Sequence, residues 1–224
     1  MRCLYCHNPD TWEINGGEEM TAEQLLAMFE KNRVFYKHGG ITCTGGEPMR
    51  QLPFLTELFR LAKERGIHTC LDTSGICFDP ENTAAADEML AVTDLVMLDI
   101  KHIDDEVHRR LTGHSNRNIL AFAEHIPERG VELWIRHVIV PGYTDGEEEQ
   151  SALGYFIGGL KTLKGLDVLP YHDMGKRKYA ELGIPYPLEG VKPVTADDAQ
   201  TARERIMSGI KARLRAEKEN GSGR

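Results

Sequence analysis

The 224-residue sequence has no excess of positive charge, no long apolar run and no second cysteine pair, and each absence removes a class of function. Lys and Arg number 27 against 35 Asp and Glu, a formal net charge of -8, and no basic stripe runs along the chain. Phosphate neutralisation, the main source of nucleic-acid affinity, is not supplied. Nothing approaches the roughly eighteen consecutive apolar residues of a membrane span. Met1-Arg2-Cys3 opens on no secretory leader, so the expectation is a cytosolic chain with neither nucleic acid nor membrane as partner. Five cysteines, an odd number, argue against a disulfide framework. A Gly-x-Ser-x-Gly nucleophile elbow and a phosphate-binding loop are also missing. What is present is ordinary globular composition, 41% hydrophobic and 7% aromatic, in a chain long enough to bury a full core.

Helical patterns alternate with short β-branched runs. Thr21-Ala-Glu-Gln24 is a capping-box signature ahead of Leu25, Leu26, Met28 and Phe29. Ile41-Thr42-Cys43-Thr44 reads as a buried strand, and Phe54 to Ala62 as a helix stopped by Gly66. Residues 67–71 and 95–98 read as strands, with a helix between them started by Asp79-Pro80 as N-cap and first-turn proline. Helices over 104–111 and 119–129 precede a long strand over 131–140. A helix near 147–163, a strand at 166–169 and a final helix from Thr195 to about Lys218 complete the pattern. Five strands separated by helices demand parallel pairing through right-handed crossovers, hence an α/β fold. Polar residues follow successive strands, which favours a partial (β/α) barrel, where all strand ends converge on one face. One domain spans 1–219, and residues 220–224 read as a frayed tail or cloning remnant.

The strand ends carry Gly45-Gly46-Glu47-Pro48, Asp72-Thr73-Ser74-Gly75, Asp99-Ile100-Lys101, Arg136 and Tyr171-His172-Asp173. The glycine pair permits close backbone approach to a ligand, and Glu47 can accept from an ammonium. Asp99 and Lys101 suit ribose hydroxyls or a carboxylate, so the set points to a ligand carrying an amine and a sugar. Singly, each signal has a plainer reading: Gly-Gly as a tight turn, Asp72 or Asp99 as a helix N-cap, His172 as a loop histidine. Arg136, inside an apolar strand, demands an anionic partner.

Cys3-Leu4-Tyr5-Cys6 is a C-x-x-C open to three meanings: redox dithiol, half a zinc site, or part of an iron–sulfur motif. Cys43, Cys70 and Cys77 supply no second pair for zinc, and no strand precedes the motif as thioredoxin-like chemistry expects. Cys3 and Cys6 are left as a cluster pair lacking partners. Cys43 and Cys70 read as small buried hydrophobes and Cys77 as an incidental thiol.

Six blocks in the same order, Arg2 to Asn8, Thr44 to Pro48, His68 to Gly75, Leu95 to Lys101, Trp134 to Gly142 and Leu169 to His172, resemble the pyruvate formate-lyase activating enzymes, radical S-adenosylmethionine activases of glycyl radical enzymes. The resemblance implies a partial (β/α)6-type TIM barrel, a 4Fe-4S cluster held through C-x-x-x-C-x-x-C, and S-adenosylmethionine on the open iron. It implies reductive cleavage to a 5'-deoxyadenosyl radical that takes hydrogen from a backbone glycine of pyruvate formate-lyase, with reduced flavodoxin or ferredoxin as electron donor. Cys3 and Cys6 match the second and third cluster cysteines. Tyr5 and His7 match positions near the adenine, Gly45, Gly46 and Glu47 the loop receiving the methionine amine. Asp72, Asp99, Ile100 and Lys101 match positions holding ribose and methionine, Arg136 one meeting the carboxylate, and His172 one beside the nucleoside. The absence of a ferredoxin-like insertion after Asn8 favours the short, pyruvate formate-lyase form over other glycyl-radical activases; a cluster-free binding protein is the alternative from another class. The first cluster cysteine and the first barrel strand would stand upstream of Met1, so the expectation is a shortened chain that reconstitutes a cluster weakly.

Overall fold

A computed structural model describes residues 1–13, 16–36 and 39–221; of the expected tail at 220–224, residues 222–224 lie outside them, while 220 and 221 end the last helix rather than fraying. The described elements run α1 (Ala22–Lys31), β1 (Gly40–Cys43), α2 (Leu52–Glu64), β2 (His68–Thr73), α3 (Ala84–Leu90), β3 (Leu95–Asp99), α4 (Asp105–Thr112), α5 (Arg117–Glu128), β4 (Glu132–Ile139), α6 (Glu147–Ile157), β5 (Leu163–Pro170), α7 (Lys176–Glu181) and α8 (Ala196–Gly221). The five strands pair in chain order, β1-β2-β3-β4-β5, all parallel. Strand order that never reverses is singly wound, so the right-handed crossovers stack their helices on one face and leave the other concave. β1 and β5 do not pair with each other, and the barrel is open.

Local chemistry accounts for most boundaries. At α1 the Thr21 hydroxyl accepts from the Gln24 amide at 3.2 Å while the Gln24 side chain accepts from the Thr21 amide at 2.7 Å, the capping box read from sequence. α4 has Asp104 accepting from the Val107 amide at 2.9 Å and ends on Gly113 at φ 82°.

Three sequence expectations need correction. Asp79 starts no helix: its carboxylate accepts from the Glu81 amide at 3.0 Å and its carbonyl from the Asn82 amide at 3.1 Å, forming a turn, and α3 begins only at Ala84. The β1 strand is not buried but an edge strand with Thr42 exposed, since among the described residues only β2 pairs with it. α6 stops at Ile157, not 163, because Gly158 and Gly159 follow it against Arg213 of α8, and the chain turns straight into β5 at Leu163.

Side-chain alternation sorts the sheet into two surfaces. Leu71, Val96 and Leu133 share one register row and Thr73, Leu98 and Ile135 the next; all six are buried, and the five apolar ones lie in the main core. The intervening rows, Asp72-Met97-Trp134 and Asp99-Arg136-Asp167, line the concave face. A smaller core of Cys3, Tyr5, Leu111, Val140, Tyr171 and Leu188 caps the C-terminal ends of the strands. It holds the N-terminal cysteine turn, aided by the Leu4 amide donating to the Leu111 carbonyl at 2.9 Å.

Candidate functional site

Arg136 is the hub of the concave face. Its Nε donates to Asp99 at 3.0 Å and its Nη2 to Asp72, joining the ends of β2, β3 and β4. Asp72 also accepts from the Thr44 hydroxyl at 2.9 Å, and Asp99 from Lys101 Nζ at 3.1 Å. Neither carboxylate caps a helix. Lys101 lies over the Tyr5 ring, 5.4 Å from its centroid, so one chain of charge runs from Thr44 to the cysteine turn.

Electrostatics set the protonation of this chain. Burial works to raise the Asp99 carboxyl, but the Lys101 ammonium and Arg136 guanidinium outweigh it and hold Asp99 below the ordinary carboxylate range. Burial likewise opposes the charge on Lys101, yet the Asp99 carboxylate prevails and its ammonium is held well above its usual range. At Asp72 burial wins over Arg136, and its carboxyl lies above the usual value. The resulting site has two cations and two carboxyl groups, one acidic partner held more weakly than the other.

Cys3 and Cys6 sit on one turn, closed by the Cys6 amide donating to the Cys3 carbonyl at 3.1 Å, and both are free thiols. Burial pushes the Cys3 thiol up, and the Lys101 ammonium opposes that shift. Tyr5 is buried beside them, its phenol raised by burial. His7 stacks on His172 with ring centroids 4.0 Å apart and donates through Nε2 to the His172 carbonyl at 3.0 Å. His172 Nδ1 is buried and has no protein partner.

The Gly45-Gly46-Glu47 loop forms a third group. Gly45 has φ 137°, a conformation open to glycine, and a side chain on Gly46 would crowd Thr11 at 3.3 Å. Glu47 is fully engaged: Oε1 accepts from the Met49 amide at 3.1 Å and the Thr73 hydroxyl at 2.5 Å, Oε2 from the Ser74 amide at 3.1 Å and the Ser74 hydroxyl. Its carboxylate therefore locks the glycine loop to the end of β2 and has no oxygen without a protein donor. The Ile100 side chain is buried in the main core, which leaves its backbone as the contribution of that position.

Several contributing residues are not singled out by sequence pattern. Thr44, Thr73 and Ser74 lie within the strand-end segments without a role assigned to them there, and follow from the donors that buried carboxylates require. Gly175 sits against the cysteine turn, where a Cβ would lie 3.1 Å from His7 Cα and 3.2 Å from the Cys6 carbonyl. Lys178 then ties α7 to Asn8 at 2.8 Å and Asp10 at 2.9 Å. Neither carries a sequence signal, because both act between segments about 170 residues apart.

A family model described as the radical SAM superfamily matches residues 1–152. The chain belongs to the radical SAM superfamily. It is 48% identical over 209 residues to the pyruvate formate-lyase-activating enzyme of Streptococcus mutans, covering 91% of this chain and 80% of that protein. It is 45% identical over 201 residues to the pyruvate formate-lyase 1-activating enzyme of Escherichia coli K12, covering 86% and 78%. A crystal structure of a domain of pyruvate-formate lyase-activating enzyme from Bacteroides vulgatus superposes with TM-score 0.62 at 22% identity, over 76% of this chain and 94% of that one. Streptococcus suis SuiB bound to S-adenosylmethionine superposes with TM-score 0.69 at 18% identity, over 95% and 45%. Radical SAM proteins use a 4Fe-4S cluster and S-adenosylmethionine, and the residues present fit both in kind. Two free thiols on one turn suit an iron–sulfur cluster, and paired cations and carboxylates beside a glycine loop suit a ligand bearing amine, carboxylate and ribose. Among the described residues no group of three or more His, Cys, Asp or Glu could hold a metal ion, so the thiol pair has no third protein ligand there. No helix of the described residues is long and apolar enough to cross a membrane.

Proposed function

We propose that this radical SAM protein is an activase of pyruvate formate-lyase, acting on a glycine of that enzyme in the cytosol with reduced flavodoxin or ferredoxin as electron donor. The observation that carries the reading is the Asp72–Arg136–Asp99–Lys101 chain ending at Tyr5 and Cys3, which sets paired cations and carboxyl groups, of the kind that suits a zwitterion and a sugar, against a thiol pair. Identity of 45–48% to named activases over most of the chain supports the choice of lyase.

In this reading Cys3 and Cys6 hold the cluster, and Gly45, Gly46, Asp72, Asp99, Lys101, Arg136 and His172 surround S-adenosylmethionine. When bound, the reduced cluster and S-adenosylmethionine supply one-electron cleavage of the sulfonium, giving methionine and a radical able to take hydrogen from glycine. The protein's own work is placement. Arg136 keeps two carboxyl groups side by side that would otherwise repel; Lys101 neutralises Asp99 and presents a cation toward the cysteine turn. Glu47 fixes the backbone of the glycine loop, Ile100 contributes its chain rather than its side chain, and the buried Tyr5, Tyr171 and Leu188 exclude water behind the thiols.

The test is anaerobic: the chain is reconstituted with iron and sulfide in a small thiol, which can serve as an external ligand, then mixed with pyruvate formate-lyase, S-adenosylmethionine and a photoreductant. A brown protein that produces a glycyl-radical doublet in the lyase by electron paramagnetic resonance is the expected result. A colourless protein that still binds S-adenosylmethionine would instead favour a binding module of the same fold.

A further inference from the structure

Three carbonyls just beyond β3 are held by side chains rather than by the sheet. The β3–β4 ladder ends at the Asp99–Arg136 pair. The next residue, Ile100, still donates its amide to the Arg136 carbonyl at 3.1 Å. Its own carbonyl, however, receives the imidazole of His137, with Nδ1 to O at 2.7 Å. Further along, Asn116 Nδ2 donates to the carbonyls of His102 at 3.1 Å and Ile103 at 2.7 Å. His102 Nδ1 accepts from the Asp104 amide at 2.9 Å, while its Nε2 donates to Glu149 at 2.8 Å. Thus the Ile100 peptide is gripped on both sides by two successive residues of β4, Arg136 and His137.

Asp99 and Lys101 flank Ile100, and their side chains meet at 3.1 Å; residues two apart share a face when the chain between them is extended, so the hold on Ile100 bears on where Lys101 lies. His137 is 4% exposed and, one residue along the strand, lies on the face opposite Arg136. Burial holds its imidazole below its ordinary range, so the ring is neutral with its one proton on the nitrogen that donates to Ile100. Glu149, His102 and Lys101 are the other charged or titratable groups that bear on it.

We infer that His137 is a positioning residue for S-adenosylmethionine binding: by holding the Ile100 carbonyl it keeps Lys101 beside Asp99 at the ligand site. The inference rests on the proposed reading of that site.

The experiment titrates S-adenosylmethionine calorimetrically into the anaerobically reconstituted protein and into Lys101→Met, His137→Phe, His137→Asn and His137→Gln. An Asn side-chain amide nitrogen falls near the position of imidazole Nδ1, whereas the Gln nitrogen falls near Nε2. The expected result is a Kd about 3- to 10-fold higher for His137→Phe, the worth of one buried hydrogen bond. His137→Asn is expected within about twofold of the parent by the same reckoning, and His137→Gln to behave like His137→Phe. Amide hydrogen exchange over residues 100–104 gives a ligand-free readout, faster in His137→Phe and restored in His137→Asn. If Lys101→Met weakens binding but His137→Phe does not, the positioning role is wrong. Equal loss in the Asn and Phe variants, with exchange unrestored, would show that ring volume matters and the donor does not. Unchanged binding in Lys101→Met overturns the site reading itself and the inference with it.

Discussion

Replacing Arg136 with Leu removes both cationic contacts from a pair of carboxyl groups that are largely buried. The Asp72 and Asp99 side chains are 13% and 22% exposed. A charge-assisted hydrogen bond is worth about 1.5–3 kcal/mol net, so two give roughly 3–6 kcal/mol. Partial water access to all three side chains and the surviving Lys101–Asp99 pair reduce this to about 2–4 kcal/mol. For a chain of this size that lowers the melting temperature by roughly 5–15 °C. The loss should depend on pH with a definite sign. In the parent, Asp99 lies below its unfolded value of 3.8, so its contribution is present above that pH and fades as pH falls through the folded value. In Arg136→Leu, Asp72 retains only the Thr44 hydroxyl among its hydrogen-bond partners and its carboxyl rises further; that penalty is present at neutral pH and is relieved as pH falls through the raised value. Urea unfolding at pH 7 and pH 4.5 should show the larger deficit at pH 7. Arg136→Lys should recover only part of the loss, because one ammonium cannot bridge two carboxylates as a guanidinium fork does. A deficit under about 1 kcal/mol, equal at both pH values, would refute the buried bridge.

Other perturbations probe separate links. Glu47→Ala strands the Ser74 and Met49 amides and frees the glycine loop, so stability should fall by about 1–3 kcal/mol and S-adenosylmethionine affinity should drop with it; thermal melts and calorimetry read the two effects. Gly154→Ala would place a Cβ 2.0 Å from the Ile206 carbonyl where α6 crosses α8. It should cost about 1–3 kcal/mol by urea unfolding. The Asp105 carboxyl, held at about 2 first by the Ser115 hydroxyl and then by the Asn116 amide, stabilises the fold above 3.8 and loses that effect as pH falls toward 2. An Asp105→Asn variant should therefore show a shallower loss of stability between pH 4 and 2, measured by denaturant midpoints.

The pattern along the chain carried the architecture well where local chemistry decides it. Thr21-Ala-Glu-Gln24 forms its capping box, and five strands in sequence order give the open barrel. Arg136 finds anionic partners because a buried guanidinium has few alternatives. Where two plausible local signals compete, pattern reading fails: Asp79-Pro80 resembles a helix start, but the Asp79 side chain closes a turn instead. Burial of β1 depends on neighbouring strands, which hydrophobicity of a four-residue run does not encode. The sequence also cannot tell a carboxylate facing ligand from one consumed by its own loop, and Glu47 is the instance. Nor does a cysteine pair at the start of the chain reveal what supports it. That support comes from Leu111, Tyr171, Gly175 and Lys178, all distant in sequence.

The charged chain at the strand ends either binds S-adenosylmethionine or it does not. Calorimetric titration of the ligand into the anaerobically reconstituted protein, and into a double variant carrying Asp99→Asn and Lys101→Met, decides it. Saturable one-to-one binding that weakens at least about tenfold in the variant is expected, as two charge-assisted contacts are lost. Equal affinity in the two proteins, with both folded by circular dichroism, would show that the charged chain is not the ligand site.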